Sequence, residues 1–130
     1  MEIDDLDEKD LKERTKQFAL RVMRLVDELP NSVSGRAIAG QLVRAGTWVG
    51  ANYRSACRGR SKAEFSAKLG TVVEEADECC FWFELIMDDD LLPRNRVEPL
   101  YREANELTAI FVSSIRTAKS SITNQKSKMG

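Results

Sequence analysis

Apolar residues recur along this chain at intervals of three and four, the period of a helix buried on one side. Leu11, Phe18, Val22, Leu25 and Leu29 form the first such stripe and predict a helix over about residues 8–29. Pro30-Asn31-Ser32 ends it, because proline clashes with the preceding turn and lacks the N–H to continue it. A second stripe, Ile38, Leu42, Ala45, Val49, Asn52, Tyr53 and Ala56, predicts a helix over about 34–57. Beside it stand Ala39, Gly46, Gly50 and Cys57, small enough for a neighbouring helix to approach closely. Two glycines in a helix interior cost about 1 kcal/mol each, and close packing is the expected offset.

The third helix opens on a capping box, with Ser61 placed to accept the Glu64 N–H and Glu64 to reach back to Ser61. Phe65, Leu69, Val72, Ala76, Cys79, Cys80, Phe83 and Met87 mark its core face over about 62–88. The fourth spans about 95–122, with Leu100, Ala104, Leu107, Phe111, Ile115, Ala118 and Ile122 inward. Residues 1–7 and 123–130 lack this period and are expected to fray. Four long helices joined by short connections predict one all-α domain of 130 residues, an up-down-up-down bundle.

Composition narrows the chemistry. The chain has no histidine, so the usual general base near neutral pH and the histidine-containing zinc motifs are missing. Its three cysteines, Cys57, Cys79 and Cys80, are too few for a four-thiolate zinc site and are odd in number. Cys79 and Cys80 point about 100° apart on a helix and read as core packing. Asp88-Asp89-Asp90 could hold a hard cation in principle, but consecutive acids fan out around the axis and read as solvated surface. No enzymatic activity, metal or cofactor is expected. The acidic start lacks the basic and apolar regions of a signal peptide, and no apolar run reaches the roughly 18 residues of a membrane span. A cytoplasmic location with no membrane contact is expected.

The net charge of −1 hides a strong segregation. Between residues 36 and 68 stand Arg36, Arg44, Arg54, Arg58, Arg60, Lys62 and Lys68 against one acid, Glu64. Between 74 and 90 stand eight acids and no base. Arg36, Arg44, Arg54 and Arg58 fall within an arc of about 80° on helix 2, away from its apolar face. Such a stripe suits the phosphate backbone of RNA or DNA. It equally suits plain solvation, or pairing with the acids of a neighbouring helix or subunit.

Two further groups remain. Phe81, Trp82 and Leu85 lie off the core stripe of helix 3, and Trp48 lies on a flank of helix 2. A helix apolar on two sides normally covers something on both, so these four are candidates for an oligomer interface. Gln41, Arg44, Asn52 and Glu75 lie at or near the inner faces, and a network among them would satisfy buried polar groups and set helix register.

Gln41-Leu-Val-Arg-Ala-Gly-Thr-Trp-Val-Gly-Ala-Asn52, Ser61-Lys-Ala-Glu-Phe65 and Glu74-Glu-Ala-Asp-Glu-Cys-Cys-Phe-Trp82, with Phe18-Ala19 and Leu29-Pro30, carry a resemblance. Over about residues 10–120 the chain resembles the bacterial four helix bundle protein family, also called the 23S rRNA intervening-sequence protein family. The resemblance implies an antiparallel bundle assembled as a homopentamer. It also implies kinship with the accessory variability protein of diversity-generating retroelements, a basic pentameric barrel that binds nucleic acid and a reverse transcriptase. Gln41, Arg44, Asn52 and Glu75 match recurring family positions, and Ser61, Glu64 and Phe65 match its helix 3 start. Trp48 stands where a small residue is common, and Tyr53 where an aliphatic is usual. Two functional expectations follow: a nucleic-acid-associated oligomeric adaptor, or an interaction scaffold whose opposite charges are used in self-assembly.

Overall fold

The computed structural model describes the backbone of residues 2–129 and the side chains of residues 8–124. Among these, four helices form and no strand: α1 (Glu2–Val26), α2 (Val33–Cys57), α3 (Lys62–Asp88) and α4 (Arg94–Met129). The chain is thus an all-α bundle, as its periodicity requires.

The helix ends differ from the sequence expectation in physically ordinary ways. α1 stops at Val26, and the next residues close tighter turns, Glu28 N–H to Leu25 O at 3.0 Å and Leu29 N–H to Val26 O at 3.2 Å. Leu29 therefore stays packed against the core although it lies past the helix. α2 is capped by Ser32, whose hydroxyl accepts the Gly35 N–H at 3.0 Å. A Cβ at Gly35 would lie 2.1 Å from the Pro30 carbonyl oxygen, so this tight entry requires glycine. Ser61 caps α3 through the Glu64 N–H at 3.0 Å, but the Glu64 side chain turns to Lys68 instead of back to Ser61. At the other end Asp90 adopts φ 52, with Asp90 N–H to Met87 O at 3.2 Å and Leu91 N–H to Ile86 O at 3.0 Å. This left-handed stop ties off the final carbonyls of α3. The helical backbone also covers residues 2–7 and 123–129, where fraying was expected. Met1, Gly130 and the side chains of residues 1–7 and 125–130 lie outside the described residues.

The stripes meet as a single core. Phe18, Val22 and Leu25 of α1, Leu42, Ala45 and Val49 of α2, Leu69, Val72, Ala76, Cys79 and Phe83 of α3, and Val97, Leu100, Leu107 and Phe111 of α4 all belong to it. Aromatic contacts cross the middle: Phe18 meets Phe83 edge-on at 6.4 Å, and Tyr53 meets Phe111 at 5.1 Å. Helices adjacent in sequence pack most closely, α1 and α4 share a smaller seam, and the diagonal pairs meet only through side chains. Arg14 bridges that seam with 2.7 and 2.8 Å bonds to Glu103 and a 2.6 Å bond to Glu106.

Candidate nucleic-acid interface and assembly surface

The seven basic residues of the 36–68 region separate into two kinds. Arg44 is bound between helices: Nη1 donates to Glu75 at 2.9 Å and Nη2 to Glu78, while the guanidinium lies 5.9 Å from the Trp48 ring centroid. Lys68 donates to Ser55 Oγ at 3.1 Å, Lys62 to Ser121, and Arg36 to Asn31 Oδ1 at 3.0 Å. The side chains of Arg54, Arg58 and Arg60 are exposed and make no hydrogen bond or ion pair among the described residues. The stripe therefore shrinks to its C-terminal end, the last turn of α2 and the connection beyond. A shallow cavity of about 330 Å³ opens there, walled by Cys57, Arg60, Ser61, Lys62 and Phe65, with Glu8 of α1. Burial pushes the Cys57 thiol up, so it is a poor nucleophile at neutral pH.

The expected polar network forms only in part. Arg44 and Glu75 meet, and the buried Glu75 is thereby satisfied. Gln41 is exposed and takes no part. Asn52 is half-buried at the edge of the core stripe and donates to the Trp48 carbonyl of its own helix at 2.9 Å. The missing member is Glu78, one turn after Glu75, which also accepts the Trp82 indole N–H at 3.0 Å. Burial pushes the Glu78 carboxyl up, but the Trp82 and Arg44 donors outweigh it and hold the group below its ordinary range. A signal for Glu78 was present: Glu75 and Glu78 are three apart and share a helix flank.

Residues 7–124 match the family described as 23S rRNA-intervening sequence protein. The chain belongs to that family. Among solved structures, a protein of unknown function from the S23 ribosomal protein family of Bacteroides thetaiotaomicron VPI-5482 is 31% identical, with a TM-score of 0.75. The match covers 80% of this chain and 96% of that one. A comparison with curated proteins finds no match.

The aromatic residues of this 23S rRNA-intervening sequence family chain divide as the charges do. Trp48 is 51% exposed and Phe81 53%, whereas Trp82 and Leu85 are half-buried and packed against the core. Phe81 and Trp82 form an edge-on pair at 5.1 Å. The outward face is thus carried by Trp48 and Phe81, with Trp82 held between surface and core by its bond to Glu78. Asp88, Asp89 and Asp90 are exposed, Asp88 lies 3.9 Å from Arg94, and no metal-holding group occurs among the described residues. No helix among them is long and apolar enough to cross a membrane.

Proposed function

We propose that this chain is a non-enzymatic, cytoplasmic, self-assembling bundle that contacts RNA or DNA through phosphate-binding arginines. One observation carries the reading: the side chains of Arg54, Arg58 and Arg60 project at one end of the molecule with no hydrogen-bond or ion-pair partner among the described residues and no acid between them in sequence. Unpaired guanidiniums in that density suit phosphate oxygens, because arginine binds them through a planar fork and stays charged. The rRNA reference in the family description agrees with this direction. The assembly we propose is a homopentamer of antiparallel up-down-up-down bundles. Contacts pairing early with late positions support the topology: Arg14 with Glu103, Glu28 with Arg96, Arg44 with Glu75, and Glu84 with Tyr101. A protein partner such as a reverse transcriptase follows from the retroelement relative alone.

The test is fluorescence anisotropy with a 20-nucleotide RNA and a DNA duplex of the same sequence. The three arginine contacts alone give a log–log salt slope of about −2.7 on duplex DNA, so affinity should drop about 40-fold or more between ~50 and ~200 mM salt. No binding at ~50 mM, or equal binding at both, would falsify the reading.

A second reading rests on a different observation. Glu74 and Asp77 are exposed on α3 and make no hydrogen bond or ion pair among the described residues. They offer a neighbour's α2 arginines a docking face, and the protein is then a scaffold with no nucleic-acid role. Equal oligomer mass in the wild type and an Arg54→Gln/Arg58→Gln variant would count against it.

A further inference from the structure

We infer that the phosphate-binding surface is the groove between α1 and α2, with Lys12 and Lys16 on the α1 wall and Arg54, followed by Arg58 just past the end of α2, on the other. This rests on the nucleic-acid reading and names its surface. The groove follows from how the two helices meet. Val22 of α1 sits over Gly46, where a Cβ would lie 2.8 Å from Val22 Cγ1, and Thr15 sits over Gly50 at 3.4 Å. These two contacts set register and side. At about 100° per residue, Lys12, Lys16, Ala19 and Met23 share the flank of α1 turned toward α2. The opposite flank holds Arg14, which reaches α4 instead. On α2, Arg54 lies one turn past Gly50, on the side facing α1. Cys57, also on that side, is close enough to Glu8 and Lys12 for their charges to act on it.

With Val22 on Gly46 and Thr15 on Gly50, Arg54 comes nearly level with Lys12, Lys16 stands one turn further along α1, and Arg58, the cap residue just past α2, comes nearly level with Glu8. Residues four apart rise about 6 Å along the axis, so each wall contributes a pair of charges at that interval. Lys16 is exposed and makes no hydrogen bond or ion pair among the described residues. Lys12 pairs with Glu8 at 3.0 Å, a half-exposed bond worth little against a phosphate. Along the same groove the α1 wall is small or apolar beyond Lys16, with Ala19 half-buried and Met23 45% exposed, and Glu8 is the acid beside it among the described residues, paired with Lys12. The other helix, α2, carries no acidic residue at all. Backbone phosphates of RNA and of DNA share the chemistry, and the probes separate the two sources.

The experiment compares the full chain with Lys12→Gln/Lys16→Gln, Lys16→Gln alone, Arg54→Gln/Arg58→Gln, and Arg36→Gln, each checked for an unchanged helical melt. Glutamine keeps helix propensity, and the Lys16 variant leaves the Glu8–Lys12 pair intact. The double lysine variant should bind both probes about tenfold more weakly or worse at ~50 mM salt, with a salt slope reduced by about 2. Arg36→Gln, at the far end of α2, should bind as the wild type does. A loss on one probe only assigns the groove to that nucleic acid. If the arginine variant loses binding and the lysine variants do not, the groove is wrong while the nucleic-acid reading stands. If the wild type binds neither probe, both fall.

Discussion

Gly46 and Gly50 sit one turn apart on α2 and both face α1, yet they make different demands. A Cβ at Gly46 would meet three Val22 atoms at 2.8–3.0 Å, and Val22 is fully buried and stiff at χ1. A Cβ at Gly50 would meet Thr15 at 3.4 Å, ordinary contact. Gly46→Ala sets an overpacking cost of about 1–3 kcal/mol against a propensity gain of about 1 kcal/mol. Its melting temperature should fall, while that of Gly50→Ala should rise, because there the propensity gain stands almost alone. Thermal melts followed by circular dichroism decide it, and a shift of both variants in one direction would contradict the geometry. Sequence reading found that both glycines admit a neighbouring helix. It could not rank them, because ranking needs the side chain that lies opposite. The same limit explains Asn52: periodicity resolves an arc of the helix, and Asn52 lies at the border between the core stripe and the α3 flank.

At the scale of elements, the four helices were legible because each carries one continuous apolar stripe, and the core is the sum of those stripes. What a single stripe cannot reveal is which charges packing brings together. Lys12 and Lys16 attract no notice in a count along the chain, since acids surround them, and only the α1–α2 contact brings their flank alongside Arg54. Conversely Arg44 looked like part of a free stripe until α3 supplied Glu75 and Glu78. The apolar surplus of α3 was legible, because Phe81 lies opposite the core face whatever the helix packs against. If Trp48 and Phe81 anchor a subunit contact, Trp48→Ser/Phe81→Ser should leave the helical melt nearly unchanged and reduce the mass seen by light scattering at micromolar concentration. Exposed positions away from special features change stability by about 0.5 kcal/mol or less, so a lost oligomer with an intact fold separates assembly from folding. A wild-type protein that is already monomeric there would end the assembly reading.

For the molecule as a whole, interhelix charges and buried thiols bound the pH range of the fold from opposite sides. Arg14 holds the Glu103 carboxyl below its ordinary value against some desolvation, and the Trp82 and Arg44 donors do the same for Glu78 despite its burial. A carboxylate whose folded pKa is depressed binds fewer protons folded than unfolded. Its contribution is present above the unfolded value, near 4.5, and is lost as pH falls through the lower folded one. The thiols act in reverse. Burial pushes Cys79 strongly up and Cys80 up to about 11, from an ordinary 9.0. Their stabilisation is complete below the unfolded value and fades as pH climbs from there toward the folded one. Denaturant unfolding from pH 3 to 11 should therefore give a plateau between about pH 5 and 8 with a decline on each side. The two limbs should respond to different substitutions. Arg14→Gln should lower the plateau and flatten the acid limb, because Glu103 loses the donor that chiefly depresses its carboxyl. Cys79→Ala should leave the acid limb alone and soften the alkaline one, at the cost of a small cavity. If Arg14→Gln instead leaves the acid limb unchanged, the α1–α4 ion pair contributes nothing to the closure of the bundle, and that seam rests on the core alone.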